Sequence, residues 1–130
     1  MLTTKAYTDL EQSKKLAEIL PLESTDMWYS YYGNSKYNPT IAYKGEQWFL
    51  CQIRSSSHSD IPCWSLAALL SVLSKTAHSI DEDGSVDLCN YKNIEWSLCL
   101  TNTNVGLFTA NNPVDACVEM IVWLKESERI

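Results

Sequence analysis

The sequence predicts an α+β fold: a single compact domain over residues 1–130, with an antiparallel sheet and three helices in the order α-β-β-β-α-β-β-β-α. Stretches with helical spacing of apolar residues occur near the start, in the middle and at the end of the chain. Between them lie short apolar runs separated by turn residues. Short turns between consecutive strands are typical of antiparallel sheets, because parallel strands need long crossover connections.

The first helix is predicted from a capping box at Thr8-Asp9-Leu10-Glu11. In this interpretation Thr8 caps the helix and the Glu11 side chain reaches back to the backbone of the cap. Apolar residues then recur with helical spacing until Pro21, which ends the run; they are Leu10, Leu16, Ala17, Ile19 and Leu20. We therefore expect an amphipathic surface helix of about three turns.

The middle and last helices are predicted from proline-started apolar runs. The middle helix is expected over Pro62 to Ser74, and it is apolar enough to be largely buried. The last helix is expected to begin with Asn112 as its cap and Pro113 as its first residue, and to end near Glu126. Its apolar residues cover most of its circumference, which predicts that it is either sandwiched or part of an interface.

Five stretches are predicted to be strands or to contain them. Two short, irregular strands are expected between Met27 and Tyr43, with breaks at Gly33-Asn34-Ser35 and Asn38-Pro39. In the last part of the chain, Trp96, Leu98 and Leu100 alternate and are expected to share one face. The remaining predicted strands are Gln47 to Ile53, Val86 to Tyr91, Glu95 to Thr101 and Val105 to Thr109.

Two segments of the chain resemble each other. Trp48-Phe49-Leu50-Cys51 precedes a polar stretch and the Pro62 helix, and Trp96-Ser97-Leu98-Cys99 precedes a polar stretch and the Pro113 helix. Each unit is interpreted as a buried strand, a loop and a proline-started helix. Internal duplication is one explanation of this pattern. The other is chance, because a chain rich in Trp and Cys produces some such matches.

The charge of the chain argues against nucleic-acid binding. It has 16 acidic and 10 basic residues, a net charge of -6 and a pI near 4.8. Nucleic-acid binding is driven mainly by Lys and Arg side chains that neutralise phosphates, so we expect no nucleic-acid partner. An acidic protein can still bind a basic protein, and one form of this would be an acidic decoy for a nucleic-acid-binding protein.

The cysteines indicate a reducing compartment. An odd count among apolar, strand-like neighbours differs from the even count of a secreted disulfide framework, so we expect buried free thiols and a cytoplasmic protein. Met1 to Leu10 lacks the apolar region of a signal peptide, and no apolar run approaches the ~20 residues that span a bilayer, so no membrane association is predicted. The five cysteines are Cys51, Cys63, Cys89, Cys99 and Cys117.

No metal or cofactor site is predicted. The spacing of Cys51, His58 and Cys63 differs from the paired ligands of structural zinc sites. The segment Asp81 to Asp87 superficially resembles a calcium loop around Gly84. Serine and asparagine replace the first and last ligands of that loop, so a solvated acidic turn is the expected structure.

The sequence favours a protein without enzymatic activity, and the alternative is a small thiol-dependent enzyme. Cys63 lies near the start of the middle helix, where an exposed thiol would have a lowered pKa, and His58 is placed to act as its base. Burial in the same apolar helix would instead make Cys63 inert. No nucleophile elbow or comparable motif accompanies the pair.

The aromatic tract is the candidate partner-binding surface. Alternation along a strand places Trp28 and Tyr32 on one face. Tyr29 and Tyr31 then point to the opposite face, so some of these rings are expected to stay exposed, where Trp and Tyr are frequent interface anchors. The alternative is that the rings cover the edge of a small sheet. The candidate residues are Trp28, Tyr29, Tyr31, Tyr32 and Tyr37.

Three stretches carry a resemblance to other proteins: Tyr7 to Ala17, Ile61 to Leu70 and Asn112 to Met120. Together they resemble a group of uncharacterised small proteins encoded in gut-bacterial genomes, prophages and mobile elements. The strand followed by an Asn/Pro-started helix is also similar to small phage helix–sheet–helix sandwich domains. The resemblance implies a phage or mobile-element setting and supplies no functional residues.

The function expected from these observations is that of a non-enzymatic accessory protein that binds an unidentified protein partner. A homodimer is one form of such binding. The apolar last helix, the aromatic tract and the acidic charge favour this interpretation over the thiol-dependent enzyme with Cys63 and His58.

Overall fold

A computed structural model describes residues 5–31, 48–52 and 60–130. Within these residues it confirms the α+β class, and three α-helices and six strands follow roughly the predicted order. The strands form two three-stranded antiparallel sheets instead of one. The helices are α1 (Leu10–Ala17), α2 (Leu66–Ile80) and α3 (Pro113–Glu126), with a 3-10 helix at Leu22–Ser24. The strands are β1 (Met27–Tyr31), β2 (Trp48–Cys51), β3 (Ile61–Cys63), β4 (Ser85–Tyr91), β5 (Glu95–Thr101) and β6 (Phe108–Ala110).

The first sheet has the strand order β2-β1-β3 and packs against α1. Tyr29 in the central strand lies opposite Leu50 on one side and Ile61 on the other. Side chains opposite each other on neighbouring strands share a face of the sheet. On this face Tyr29 and Cys63 pack with Leu10 of α1 in a small core.

The second sheet has the strand order β4-β5-β6 and forms the main core with α2 and α3. Leu98 and Leu100 of β5 are buried and Trp96 is half-buried, as the predicted alternation requires. Their face packs against apolar residues of both helices. The residues of the opposite face are exposed or half-buried.

Helix α3 agrees with the prediction in both its start and its end. The Asn112 side chain accepts a hydrogen bond from the Asp115 amide at 2.8 Å, and Pro113 is the first helical residue. The apolar surface of α3 is buried within its own chain, including Val114, Met120 and others in the main core. Of the two predicted roles for this helix, the sandwiched one is therefore observed.

The cap of α1 differs from the prediction by one residue. Asp9, not Thr8, is the capping residue, and Gln12 rather than Glu11 completes the capping box. Thr8 is fully buried, and its backbone and hydroxyl bind the backbone of Trp64 instead. The Thr8 hydroxyl therefore links the start of α1 to the segment that follows β3 and does not cap the helix.

The start of α2 also differs from the prediction. Pro62 lies in β3, opposite Trp28, and the helix begins at Leu66 with Ser65 as its cap. The helix ends at Ile80 rather than Ser74. Proline is compatible with β3 because β3 is an edge strand.

The two similar segments occupy different positions in the fold. Trp48-Phe49-Leu50-Cys51 forms β2, an edge strand, whereas Trp96-Ser97-Leu98-Cys99 lies in β5, the central strand of the other sheet. A proline starts the helix after the second segment but not after the first. These differences are not what an internal duplication predicts.

A tight turn joins α2 to β4, as Asp83-Gly84 predicts. The Gly84 amide donates to the Asp81 carbonyl, and the Asp83 amide donates to the Asp81 carboxylate, both at 2.8 Å. A Cβ atom at Gly84 would lie 2.3 Å from the carbonyl oxygen of Ala77. The close approach of the turn to the end of α2 therefore requires glycine at this position.

A polar network joins the segment before α1 to the start of α3. Lys5 Nζ donates to Asp9 Oδ2 at 3.0 Å and to Asp115 Oδ1 at 2.9 Å. Gln12 Nε2 donates to the same Asp115 oxygen, and Asn112 Nδ2 donates to Asp115 Oδ2. Burial alone would lower the pKa of Lys5 and raise that of Asp115. The hydrogen bonds outweigh burial, so the pKa of Lys5 lies above its ordinary 10.5 and that of Asp115 below its ordinary 3.8.

We expect Lys5→Met to lower the free energy of unfolding by about 1–2 kcal/mol at neutral pH, because it leaves two partly buried carboxylates without their cation. The stabilisation from Asp115 is present above its unfolded pKa and is lost as pH falls through its lower folded pKa. The stabilisation from Lys5 is present below pH 10.5 and is lost as the pH rises through the higher pKa of Lys5 in the folded protein.

Urea unfolding across the pH range measures this difference between wild type and variant. It should shrink below pH 3.8 and above pH 10.5. Lys14→Met is the matched control, because the Lys14–Glu11 pair is exposed and 4.0 Å long. A difference that stays constant from acid to alkaline pH would contradict the charge-based explanation.

Candidate functional site

The burial of Tyr29 contradicts the prediction that this residue binds a partner. Only 1% of its surface is exposed, because α1 covers its face of the first sheet. Its hydroxyl donates a hydrogen bond to the Thr8 carbonyl at 2.8 Å. Tyr29 is therefore a core residue that joins β1 to the start of α1.

Partner binding by the other residues of the aromatic tract stays a prediction. Trp28 lies on the opposite face of β1 from Tyr29 and is half-buried. The backbone of Tyr31 belongs to β1. Tyr32 and Tyr37 lie outside the described residues.

The environment of Cys63 does not favour the predicted nucleophile. Cys63 lies in β3, before the cap of α2, and is fully buried. Burial raises the pKa of its thiol despite the hydrogen bond with Thr8. A buried, protonated thiol lacks both access to a substrate and the thiolate form that reacts. His58, the predicted base, lies outside the described residues.

The prediction that all five cysteines are buried is wrong for Cys89. All five are free thiols, and Cys63 and Cys117 are buried, whereas Cys51 and Cys99 are intermediate and Cys89 is exposed. Burial raises the pKa of Cys117 to about 12. The Cys89 thiol donates a hydrogen bond to Asp87 Oδ1 at 3.5 Å, and this contact and the carboxylate charge raise its pKa.

We expect Cys89 to react first with a thiol reagent such as Ellman's reagent in the native protein. Cys63 and Cys117 should react only when urea unfolds the chain, because both are buried. Cys89→Ser should remove the fast phase. Asp87→Asn should make that phase a few-fold faster at neutral pH, because it removes the charge that disfavours the thiolate. Rapid native modification of Cys63 would instead support the thiol-dependent enzyme.

Cys89 belongs to a surface that we call the outer sheet face, the face of the second sheet turned away from α2 and α3. Cys89 lies opposite Ser97, and Asp87 lies opposite Cys99, so these side chains share one face. Its members are exposed or half-buried polar, thiol and aromatic residues. They are Ser85, Asp87, Cys89, Tyr91, Glu95, Ser97, Cys99, Thr101 and Thr109.

Three large apolar side chains lie on or beside the outer sheet face and are exposed. Tyr91 is 61% exposed at the end of β4, and Ile94 is 66% exposed in the turn that follows. Leu107, 65% exposed, immediately precedes β6, where the register places it beside Cys99. Exposed apolar side chains next to a polar face are typical of protein-binding surfaces.

The charge of the outer sheet face is negative. Asp87 and Glu95 are exposed, and neither forms an ion pair within residues 5–31, 48–52 and 60–130. The exposed residues Asp81, Glu82 and Asp83 lie at the end of the sheet where β4 begins. Such a surface attracts a partner that carries basic side chains.

Sequence reasoning missed this surface although a signal for it was present. The alternation that places Trp96, Leu98 and Leu100 inward also turns Ser97 and Cys99 outward. The apolar neighbours of the cysteines favour buried thiols instead, and that expectation conceals the exposed face. Alternation along both strands of the β4–β5 hairpin would have identified the exposed face.

The chain matches no protein-family model, no curated protein and no solved structure. Among the helices of the described ranges, none is long and apolar enough to cross a membrane. The same ranges contain no cluster of three His, Cys, Asp or Glu residues arranged to hold a metal ion. The candidate site therefore rests on the geometry of the outer sheet face.

Proposed function

We propose that the protein is a non-enzymatic accessory protein of a phage or mobile element, and that it acts by binding another protein. The observation that carries this proposal is the outer sheet face, which combines exposed apolar side chains with carboxylates that have no cationic partner in the described chain. Tyrosine supplies large contact area at low entropic cost, and it is frequent among residues that dominate binding energy.

The chemistry of this face defines the kind of partner. Tyr91 and Leu107 fit an apolar surface, while Asp87 and Glu95 fit Lys or Arg side chains around it. The partner is therefore a protein whose surface presents apolar side chains together with Lys or Arg side chains. The basic surface of a nucleic-acid-binding protein satisfies this description, which keeps the acidic decoy as a special case of the same proposal.

Affinity capture with quantitative mass spectrometry tests the proposal when wild type is compared with Tyr91→Ser/Leu107→Ser. Leu22→Ser is the matched control, because Leu22 is 50% exposed on the 3-10 helix, outside the outer sheet face. A partner of the proposed kind is captured by wild type and the control and lost with the double variant. Its affinity, measured with the purified partner, should fall with salt and with Asp87→Asn/Glu95→Gln.

Trp28→Ala tests the rival surface, the aromatic tract. A partner lost with Trp28→Ala and retained by Tyr91→Ser/Leu107→Ser would move the binding site to the first sheet. A partner that all variants capture equally would overturn the assignment of binding to either surface.

A further inference from the structure

The edge of β4 is an open strand edge. β4 pairs with β5 on one side, and no strand of the described ranges pairs with its other side. In an antiparallel pair, every second residue turns its N–H and C=O away from the neighbouring strand. The edge of β4 therefore presents a row of backbone donors and acceptors along seven residues.

This edge lacks the usual features that prevent pairing with another chain. It is long for an edge strand and contains no proline and no lysine, and Asp87 is its single charged residue. The strand is also accessible, because Cys89, Asn90 and Tyr91 are exposed. Such an edge is a template for an added strand.

The charges at the two ends of β4 favour a second copy of the same strand. Asp81, Glu82 and Asp83 precede it, and Lys92 follows it. When two copies of β4 run antiparallel, Lys92 of each copy lies beside the acidic end of the other. A second copy of this chain is thus electrostatically complementary to the edge.

A single register satisfies both the charges and the faces. With Leu88 opposite Leu88 of the second copy, all seven residues pair, Asp87 faces Cys89, and Lys92 lies next to Asp83. A shift of the pairing by one residue would place core-facing residues of one copy opposite solvent-facing residues of the other, so the faces of the two sheets would not match. A two-residue shift in either direction leaves two residues of each seven-residue strand unpaired. In one direction it also places Asp87 opposite Asp87, and like charges directly opposite are destabilising.

We propose that two copies of the protein associate by antiparallel pairing of their β4 strands, centred on Leu88. The two second sheets then form one continuous sheet, and the two outer sheet faces lie side by side on it. This inference does not rest on the proposed binding of a different protein, because its contacts are those of the β4 edge.

Disulfide trapping tests the register in a Cys89→Ser/Cys99→Ser background. Ser85 of one copy lies opposite Tyr91 of the other in the proposed dimer, and both side chains are exposed. A mixture of the Ser85→Cys and Tyr91→Cys proteins should form a cross-linked dimer when it is treated with oxidised glutathione. Each protein treated in the same way by itself should form none. Equal cross-linking in the mixture and the separate samples would overturn the register.

Sedimentation velocity over a dilution series tests the association itself. Lys92→Glu should weaken dimerisation by roughly tenfold, because the reversed charge meets the acidic end of β4 twice in each dimer. Asp83→Lys added to Lys92→Glu should restore it, since the charges are then exchanged. A monomer at every concentration, together with no cross-link in the mixture, would overturn the proposal.

Discussion

The Gly84→Ala variant is expected to lose about 3 kcal/mol of its free energy of unfolding, the upper part of the usual range for overpacking, because the neighbours of the added atom are rigid. The added Cβ atom would lie 2.3 Å from the Ala77 carbonyl oxygen and 2.9 Å from that of Asp81. Both are backbone atoms, one near the end of α2 and the other in the turn, so neither moves away as a flexible side chain would. The loss is measured by urea or thermal unfolding.

Gly106→Ala is the matched control for this variant. A Cβ atom at Gly106 meets nothing within 4 Å. The substitution should therefore be neutral or stabilise by up to about 1 kcal/mol, because alanine restricts the unfolded chain. Equal stability of the two variants would show that the turn between α2 and β4 relaxes, and it would contradict the close approach described for Gly84.

The Tyr29→Ala variant is expected to lose about 3–5 kcal/mol, the usual cost of truncating a buried aromatic side chain. The ring fills the small core between α1 and the first sheet, with Leu10 and Cys63. The hydroxyl donates to the Thr8 carbonyl at 2.8 Å, so truncation also removes a buried hydrogen bond. Denaturant unfolding followed by circular dichroism measures the loss.

Tyr29→Phe separates the hydroxyl from the ring. Among the side chains of the described residues, the Thr8 carbonyl then keeps only the weak Cys63 thiol as a donor, at 3.5 Å, so a loss of about 1–2 kcal/mol is expected. A Tyr29→Ala protein of wild-type stability would return Tyr29 to the candidate binding residues. The pair of variants therefore decides between the core role and the recognition role of this tyrosine.

Helix α3 shows what local sequence determines well. Asn112, Pro113 and Asp115 specify its start through contacts that span at most three residues, and the prediction agrees with the structure there. Local sequence does not decide which residue caps α1, because Thr8 and Asp9 are adjacent and both residue types cap helices well. Contacts of Thr8 with Trp64, far along the chain, decide between them.

Long-range pairing also explains the other differences. Pro62 is suited to the first turn of a helix and to an edge strand, and the pairing of β3 with β1 selects the strand. The division of the strands into two sheets depends on which strands pair with each other, and local sequence patterns do not specify this pairing. For the same reason the sequence placed Tyr29 on a recognition surface, since nothing near it indicates that α1 covers its ring.

The ammonium group of Lys5 reaches a carboxylate 110 positions later in the chain. A connection of that span closes late in folding, because few random fluctuations bring such distant segments together. During synthesis, the Lys5 ammonium group therefore lacks this partner until the ribosome has released the segment that contains Asp115. A chain that stops before Asp115 therefore lacks this ion pair of Lys5, while the contacts of Thr8 with Tyr29 and Trp64 can still form.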